Sequence, residues 1–544
     1  MTITRTTTRR RLAGSAAALT AATLVLAACS GGGGSSSDGG AEAPEEAEMP
    51  NYVPVDYVEP DFPSVNGSTA GYTQVPAELV DSVTETPGTG ETFTLLTPIW
   101  QAIPPVEGNE YFEAINERLG STLEYQMVAG NDYNERLATI LASPDDVPDW
   151  VSVFGWNPPP RFDQAVEGVF QDLTEYIAGD AIEAYPNLAN LPTEAWQFGV
   201  FNGRTYGVPV PGELVTDALF YRADILAELG LEPPETASEL LEVARAVTDP
   251  AEQRWAFNDP WVAATLMFGV PPKWQIGEDG ELIHRYETEE YRAALEFVTQ
   301  LYSEGLVHPD AVADNSADAK QRFESGNVVL HYDGVGGWAE MAGRISTAFG
   351  DDEVRMLPLS NLHADDGEPV RYPGNPANFF SFFKKSDDPE RIEELLRIAN
   401  FFAAPFGTTE YNLVQNGVEG VHYTVDENGA PQPTEQSGTE IAKVTTHAVA
   451  PPVANTRLDD PTYVENYTTW MAGEAENLVE TPFYAQQIVE PAQFATLGQP
   501  FSDLEKDIAR GRQDISALDT ALENWRTSGG DELRAFYQDI LDNQ

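Results

Sequence analysis

The chain has 544 residues and one cysteine, Cys29, so it holds no internal disulfide and its fold must stand on packing. Basic residues are scarce. There are 30 Lys and Arg against 88 Asp and Glu, and four of those bases fall in the first 28 residues, which carry no acid. A surface that negative repels phosphates, which argues against nucleic acid as a partner and against a polybasic membrane contact. Six histidines are scattered at 284, 308, 331, 363, 422 and 447, none with the i, i+4 spacing of a zinc helix. No Gly-rich loop runs into Lys-Ser/Thr, and no Gly-x-Ser-x-Gly elbow occurs, so neither a P-loop nor an α/β-hydrolase nucleophile is present. Acidic pairs such as Asp145-Asp146 and Asp351-Asp352 arise freely in so acidic a chain and do not mark glycosidase carboxylates. His331-Tyr-Asp333 reads as a strand end running into a loop rather than as a ligand or base pair. What is abundant is apolar and aromatic, 42% and 10%, enough for more than one core.

Residues 1–28 read as an export signal. Arg5, Arg9, Arg10 and Arg11 form a basic start, and Leu12 to Ala28 form an uncharged Ala/Leu-rich stretch. The run Thr8-Arg9-Arg10-Arg11-Leu12 fits an ordinary n-region and a twin-arginine signal equally. Leu26-Ala27-Ala28-Cys29 resembles a bacterial lipobox, which implies that Cys29 takes the lipid and becomes the first mature residue. Acyl chains would hold it to the outer face of the cytoplasmic membrane, at about 0.8 kcal/mol per buried CH2. Residues 29–90, first Gly/Ser-rich and then acidic and Pro-rich, read as a flexible, extended linker.

From Thr92 the pattern is α/β. A strand at Thr92–Thr97 is followed by a helix that Asn109 caps, with Phe112, Ile115 and Leu119 on one face and Gly120 ending it. A strand at Leu123–Val128, a helix at Asp132–Leu141 and a strand at Asp149–Phe154 complete a unit that implies parallel pairing with right-handed crossovers. Thr236-Ala-Ser-Glu239 is a capping box opening a helix over 237–247. Thr288–Glu304 is a long amphipathic helix, Asn327–Tyr332 a strand, and Asp388-Pro389 starts a helix to about Phe402. From Phe501 the chain is helical to its end, broken at Ser528-Gly529-Gly530.

Several stretches together resemble the extracellular solute-binding proteins of ABC importers, in the branch that includes maltose-binding protein. They are Asn131-Asp-Tyr-Asn-Glu-Arg-Leu137 with Ala142-Ser143 and Pro148-Asp149, Phe170-Gln-Asp-Leu-Thr174, Asn202-Gly203 to Pro209, Phe220-Tyr-Arg-Ala-Asp224 to Thr236, and Phe323-Glu-Ser-Gly326. The tail from Gly511 to Gly530 resembles a larger subgroup tied to oligosaccharide and uronate-sugar uptake. The resemblance implies a two-lobed periplasmic-binding-protein-like α/β fold, each lobe a mostly parallel sheet flanked by helices, with C-terminal helices added. Lobe 1 is then expected over 91–208 and 360–415, and lobe 2 over 209–359 and 416–544. The implied function is a monomeric, non-enzymatic receptor that needs no cofactor. It clamps an oligosaccharide between its lobes and passes it to the permease subunits. Alternatives are the same fold holding a peptide or cationic small molecule, or an exported glycoside hydrolase on the same anchor.

Sugar rings offer apolar faces to aromatics and hydroxyls to polar groups. Trp100, Trp156, Trp261, Trp338 and Tyr484 fall in segments that the resemblance puts at the cleft. Asp333, Asn375 and Asn378 are candidates for hydroxyl contacts, and Arg371 for a surface ion pair or a uronate carboxylate. Relatives carry a calcium-binding-like loop after an Asp-Pro of this kind. Here Asp249-Pro250 runs into Ala251-Glu-Gln-Arg-Trp255, so no metal is expected there.

Overall fold

The computed structural model describes residues 48–543, apart from 56, 77, 160, 314, 316, 351, 352, 427 and 428. The export signal, Cys29 and the Gly/Ser stretch lie outside the described residues. The first lobe starts with β1 (Thr92–Ile99), α1 (Glu110–Leu119), β2 (Thr122–Ala129), α2 (Tyr133–Leu141) and β3 (Trp150–Phe154). The helix ends expected from sequence are there: Asn109 Oδ1 accepts from the N–H groups of Tyr111 and Phe112, and Gly120 takes φ 71°. After α3 (Phe162–Val169) the chain forms β4 (Val208–Pro211) and leaves for the second lobe.

There it builds β5 (Asp217–Arg222), α4 (Ala223–Leu229), α5 (Ala237–Val247), β6 (Trp255–Phe257), α6 (Trp261–Met267), α7 (Glu289–Ser303), β7 (Val328–Gly334), α8 (Trp338–Phe349) and β8 (Met356–Pro358). The capping box at Thr236 and Glu239 is formed. The chain then returns as β9 (Ala377–Phe383) and α9 (Pro389–Phe402), and closes with α10 (Pro461–Ala475), α11 (Gln499–Ala509), α12 (Ala517–Trp525) and α13 (Asp531–Asp542).

The sheet orders are β2-β1-β3-β9-β4 and β8-β5-β7-β6. In each sheet one strand runs against the rest: β9 is antiparallel to β3 and β4, and β5 to β7 and β8. Both are the strands that have just crossed from the other lobe. The remaining strands end at the crossing edge, so a chain arriving through that edge must run away from it. Register agrees, for Phe379 near the start of β9 pairs with Phe154 at the end of β3, and Asp217 with Gly334.

Each sheet is buried on both faces, as parallel sheets must be. Phe93 and Leu95 of β1 pack with Ile115, Leu119 and Leu396, while Leu96 packs the other way with Tyr133 and Phe162. In the second lobe Leu219 faces Leu240, Leu295 and Phe501, and Phe220 faces Phe323, Trp338 and Trp470. Among the described residues no core draws buried residues from both lobes. Three segments cross between them, at 212–216, 359–376 and 451–460. The first two are tied together: Gly212 N–H donates to Pro376 C=O at 2.9 Å and Gly374 N–H to Leu214 C=O at 2.9 Å.

Two boundaries differ from the sequence reading. β4 belongs to the first sheet, so the first crossing begins after Pro211. Residues 416–449 do not start the second lobe, because Ala442, Val444, Ala448 and Val449 pack into the core that holds Phe93 and Leu396. Those four residues sit in and around the 3-10 turn Val444–His447 with no helical or strand period, so their spacing offers no cue to their side.

The larger correction concerns the linker. From Glu48 to Gly90 the chain is laid over the body as a strap. Val53 N–H donates to Ala189 C=O at 2.8 Å and Val80 N–H to Gly407 C=O at 3.0 Å, while the Tyr72 ring lies 4.6 Å from Phe406. Glu410 accepts from Ser82 N–H and hydroxyl, and Glu394 from Thr89 N–H and hydroxyl and from Ser121. Burial works to raise the Glu394 carboxyl, but those hydrogen bonds prevail and hold it below the usual range. The strap's partners are all distant in sequence, which is why composition alone read it as a free spacer.

At its middle, Ala70–Gly71 pairs in parallel with Ala454–Asn455 of the third crossing. A Cβ on Gly71 would stand 2.6 Å from Thr468 Cγ2 and 2.8 Å from Val464 Cγ1, both on α10. Gly71→Val should therefore cost about 1–3 kcal/mol of stability by overpacking. Urea unfolding reads it, and an unchanged midpoint would show that the strap is not seated there.

Candidate functional site

Ile99 ends β1 and Phe154 ends β3, so the residues that follow them emerge at the crossing edge of the first sheet. Trp156 lies on Phe154, ring centroids 4.8 Å apart and planes 8° apart. Trp100 lies near the same ring at 5.9 Å and 29°, and Phe379 meets all three edge-on. Phe154 is buried, yet Trp100 and Trp156 remain 53% and 52% exposed. Two flat apolar surfaces thus stand open at the lobe edge. His447 stands edge-on to Trp100 at 5.3 Å, with Nδ1 3.2 Å from the Pro98 carbonyl. Burial pushes its imidazole down against that hydrogen bond, which makes it a neutral wall.

Beside Trp156 lies an inter-lobe cavity of about 1060 Å³. The first lobe lines it with Trp156, Pro158, Arg161 and Phe198, the second with Lys273, Trp274 and Tyr537. Asn375 of the second crossing and Phe483, Gln487 and Glu490 of the stretch after α10 complete it. Gln487 Nε2 reaches Gly155 C=O at 3.4 Å and ties that stretch to the first lobe. Arg161 opens α3 from the left-handed region, φ 62°. Lys273 pairs with Glu490, and its ammonium lies 5.0 Å from the Tyr537 ring centre. Burial pushes Lys273 down to about 8, while the Glu490 carboxylate favours its charged form. Such a cavity, mostly apolar with a few convergent polar groups between two lobes, suits a small polar ligand with apolar faces.

The residues singled out from sequence divide. Trp156 and Asn375 line the cavity, and Trp100 joins them through Phe154. Asn378 contributes backbone: its carbonyl accepts from Gly155 N–H at 2.9 Å and steadies the turn bearing Trp156. Tyr484 follows the lining residue Phe483 but does not itself line the cavity, and burial with the Glu194 and Glu480 carboxylates pushes its hydroxyl up to about 12.

The others are elsewhere. Trp338 is 2% exposed, packed with Phe220, Tyr463, Tyr467 and Trp470, because the short 3-10 turn Val335–Gly337 carries β7 into α8 and α10 covers the indole. Trp261 is half-buried at the start of α6, edge-on to Tyr291 at 5.5 Å, and does not line the cavity. Asp333 is committed to Lys320 Nζ at 2.7 Å and to Gly334 N–H. Arg371 is no surface pair: its side chain is 8% exposed and bridges Glu474 and Asp217, each at 3.2 Å.

Sequence reasoning missed Phe154, Phe379, His447, Phe483, Lys273 and Tyr537 as site residues. Phe154 reads as a plain strand residue, and the sequence reading assigns no strand around Phe379. Tyr537 comes from α13, and no spacing relates it to Lys273 or Trp156.

Among the described residues no group of three or more His, Cys, Asp or Glu is placed to hold a metal ion, and no helix is long and apolar enough to cross a membrane. At Asp249 the chain makes a tight turn, with Oδ1 accepting from Ala251 N–H at 2.9 Å.

Comparison with known proteins matches residues 106–404 to the family described as bacterial extracellular solute-binding protein. The chain is 22% identical over 473 residues to lipoprotein LipO of Bacillus subtilis (strain 168), covering 82% of this chain and 91% of that one. It is 23% identical over 400 residues to the polygalacturonan/rhamnogalacturonan-binding protein YtcQ of the same organism, covering 69% and 78%. Among solved structures, the N-glycan transport solute binding protein NgtS of Streptococcus pneumoniae superposes with a TM-score of 0.60 at 15% identity, covering 83% of this chain and 98% of that one. The alginate-binding protein AlgQ2 gives 0.57 at 17%, covering 85% and 100%. These neighbours share the two-lobed binding-protein fold. With more than half its length matched and both lobes in place around an aromatic-edged cleft, the chain belongs to the bacterial extracellular solute-binding protein family.

Proposed function

We propose that this protein is a surface receptor that binds an oligosaccharide in the inter-lobe cleft, leaves it chemically unchanged, and delivers it to an ABC-type permease. The observation that carries this reading is the pair of half-exposed indoles, Trp100 and Trp156, held on Phe154, with Trp156 lining a cavity of about 1060 Å³. A soluble protein leaves such flat apolar faces uncovered at a cleft where a partner is to cover them. Sugar rings fit them by their C–H faces. Asn375, Gln487 and Arg161 then meet the hydroxyl rim, and a wrong sugar leaves such groups unpaired. Its relatives, which include a polygalacturonan/rhamnogalacturonan-binding protein and a carbohydrate ABC transporter substrate-binding protein, favour the same class.

Calorimetry with oligogalacturonides, alginate oligosaccharides, kestose, peptides and polyamines tests the reading. One saccharide should bind at one per chain and be recovered intact. At about 100 times its dissociation constant it should add about 2.7 kcal/mol of stability. Binding of a peptide or polyamine alone, or turnover of a saccharide, would replace the proposal.

Cys29 is the anchor in this reading, lipidated after removal of residues 1–28, and it holds the receptor at the extracellular face of the membrane. Cys29→Ser should move the protein from the membrane fraction to the medium. If the variant still sediments with membranes, the lipid is not what holds the protein there.

A further inference from the structure

We infer that Gly130 is a positioning residue for the sugar-stacking platform, an inference that rests on the carbohydrate reading above. Gly130 follows directly on β2 and opens a 3-10 turn, and it is buried. What buries it is Trp100. A Cβ built on Gly130 would stand 2.1 Å from Trp100 Cε2, 2.3 Å from Nε1 and 2.7 Å from Cδ2. Non-bonded carbons rest at about 3.5–4.0 Å, so the indole occupies the place a side chain would take. One face of Trp100 therefore lies on bare backbone, while Phe154 stacks near the indole at 5.9 Å and 29° and His447 meets it edge-on. Held there, the indole keeps 53% of its surface exposed.

The backbone does not ask for glycine here. Gly130 is not among the positive-φ residues, so an alanine meets no conformational strain. The three atoms nearest to such a Cβ all belong to the indole, and Trp100 is half-exposed, with open solvent to move into. Gly130→Ala thus displaces Trp100 without disturbing the fold, and its effect on binding passes entirely through that ring.

The test labels the protein with 5-fluorotryptophan and assigns the Trp100 resonance with Trp100→Phe. In Gly130→Ala that resonance should shift or broaden, while those of the core residues Trp150 and Trp196 stay in place and report an intact fold. Affinity for partially hydrolysed polygalacturonan should fall about tenfold, as in Trp100→Ala. The double variant Trp100→Ala/Gly130→Ala should bind no more weakly than Trp100→Ala alone. An unmoved Trp100 resonance, or an additive loss in the double variant, overturns the inference. Should Trp100→Ala keep full affinity while Gly130→Ala still moves the resonance, the positioning stands and it is the sugar-stacking reading that fails.

Discussion

Trp156→Ala is expected to weaken oligosaccharide binding about thirtyfold or more, the loss that a buried aromatic anchor of about 2 kcal/mol produces. Trp156 has the largest expected share because it lines the cavity directly, whereas Trp100 joins through Phe154. In the free protein Trp156 is 52% exposed and supports little beyond Phe154 and Phe379, so truncation should leave the unfolding midpoint nearly unchanged. The two readouts together make the prediction sharp. Calorimetry should record the affinity loss, and urea unfolding should record almost none. Retained affinity would move the ligand away from the platform altogether. A large loss of stability would mean that the indole is part of the core.

Arg371→Ala is expected to do the reverse and cost about 3–5 kcal/mol of stability. Its guanidinium sits between Glu474 and Asp217, and it also donates to the Asp217 carbonyl. Removing it leaves the Glu474 carboxylate, which is 7% exposed, facing Asp217 with no cation between them. Glu474 also accepts from Asn361 N–H at 3.0 Å, which alone does not replace the ion pair.

The pH dependence follows from Glu474. Burial already raises its carboxyl above the ordinary value, against the pull of Arg371. A folded pKa above the unfolded one means that the folded protein binds the extra proton. The associated stability is present at pH below the unfolded value and is lost as pH rises through the folded one. Without Arg371 the shift grows, so the variant's deficit should be largest at neutral pH and should shrink on acidification toward the ordinary carboxylate range. Urea unfolding of parent and variant at both ends of that window measures it. A deficit independent of pH would show that packing, not charge, is what Arg371 supplies.

Much of the fold was legible. Asn109, Gly120 and the Thr236/Glu239 box mark helix ends that are formed as read, because caps act within one turn and need no tertiary context. The apolar strands Thr92–Ile99 and Val328–Gly334 carry their core residues in their own spacing. The strap was not legible. Residues 48–90 have no period, and the groups that hold them, Glu394, Glu410 and Ala454–Asn455, come hundreds of residues later.

Trp100 and Trp338 mark the division. Each follows a strand, and sequence treated them alike. One is 53% exposed and the other 2%. Sequence determined the net acidic charge, many of the strands and helices in their order, and the family they add up to, since all of these are local or additive properties of the chain. Tertiary structure decided which aromatics stay open. Trp338 is covered by Tyr463, Tyr467 and Trp470 of α10, while Trp100 is left with solvent on its outer face. A side chain's exposure depends on what the rest of the chain lays over it, and for Trp338 that cover, α10, lies more than a hundred residues away.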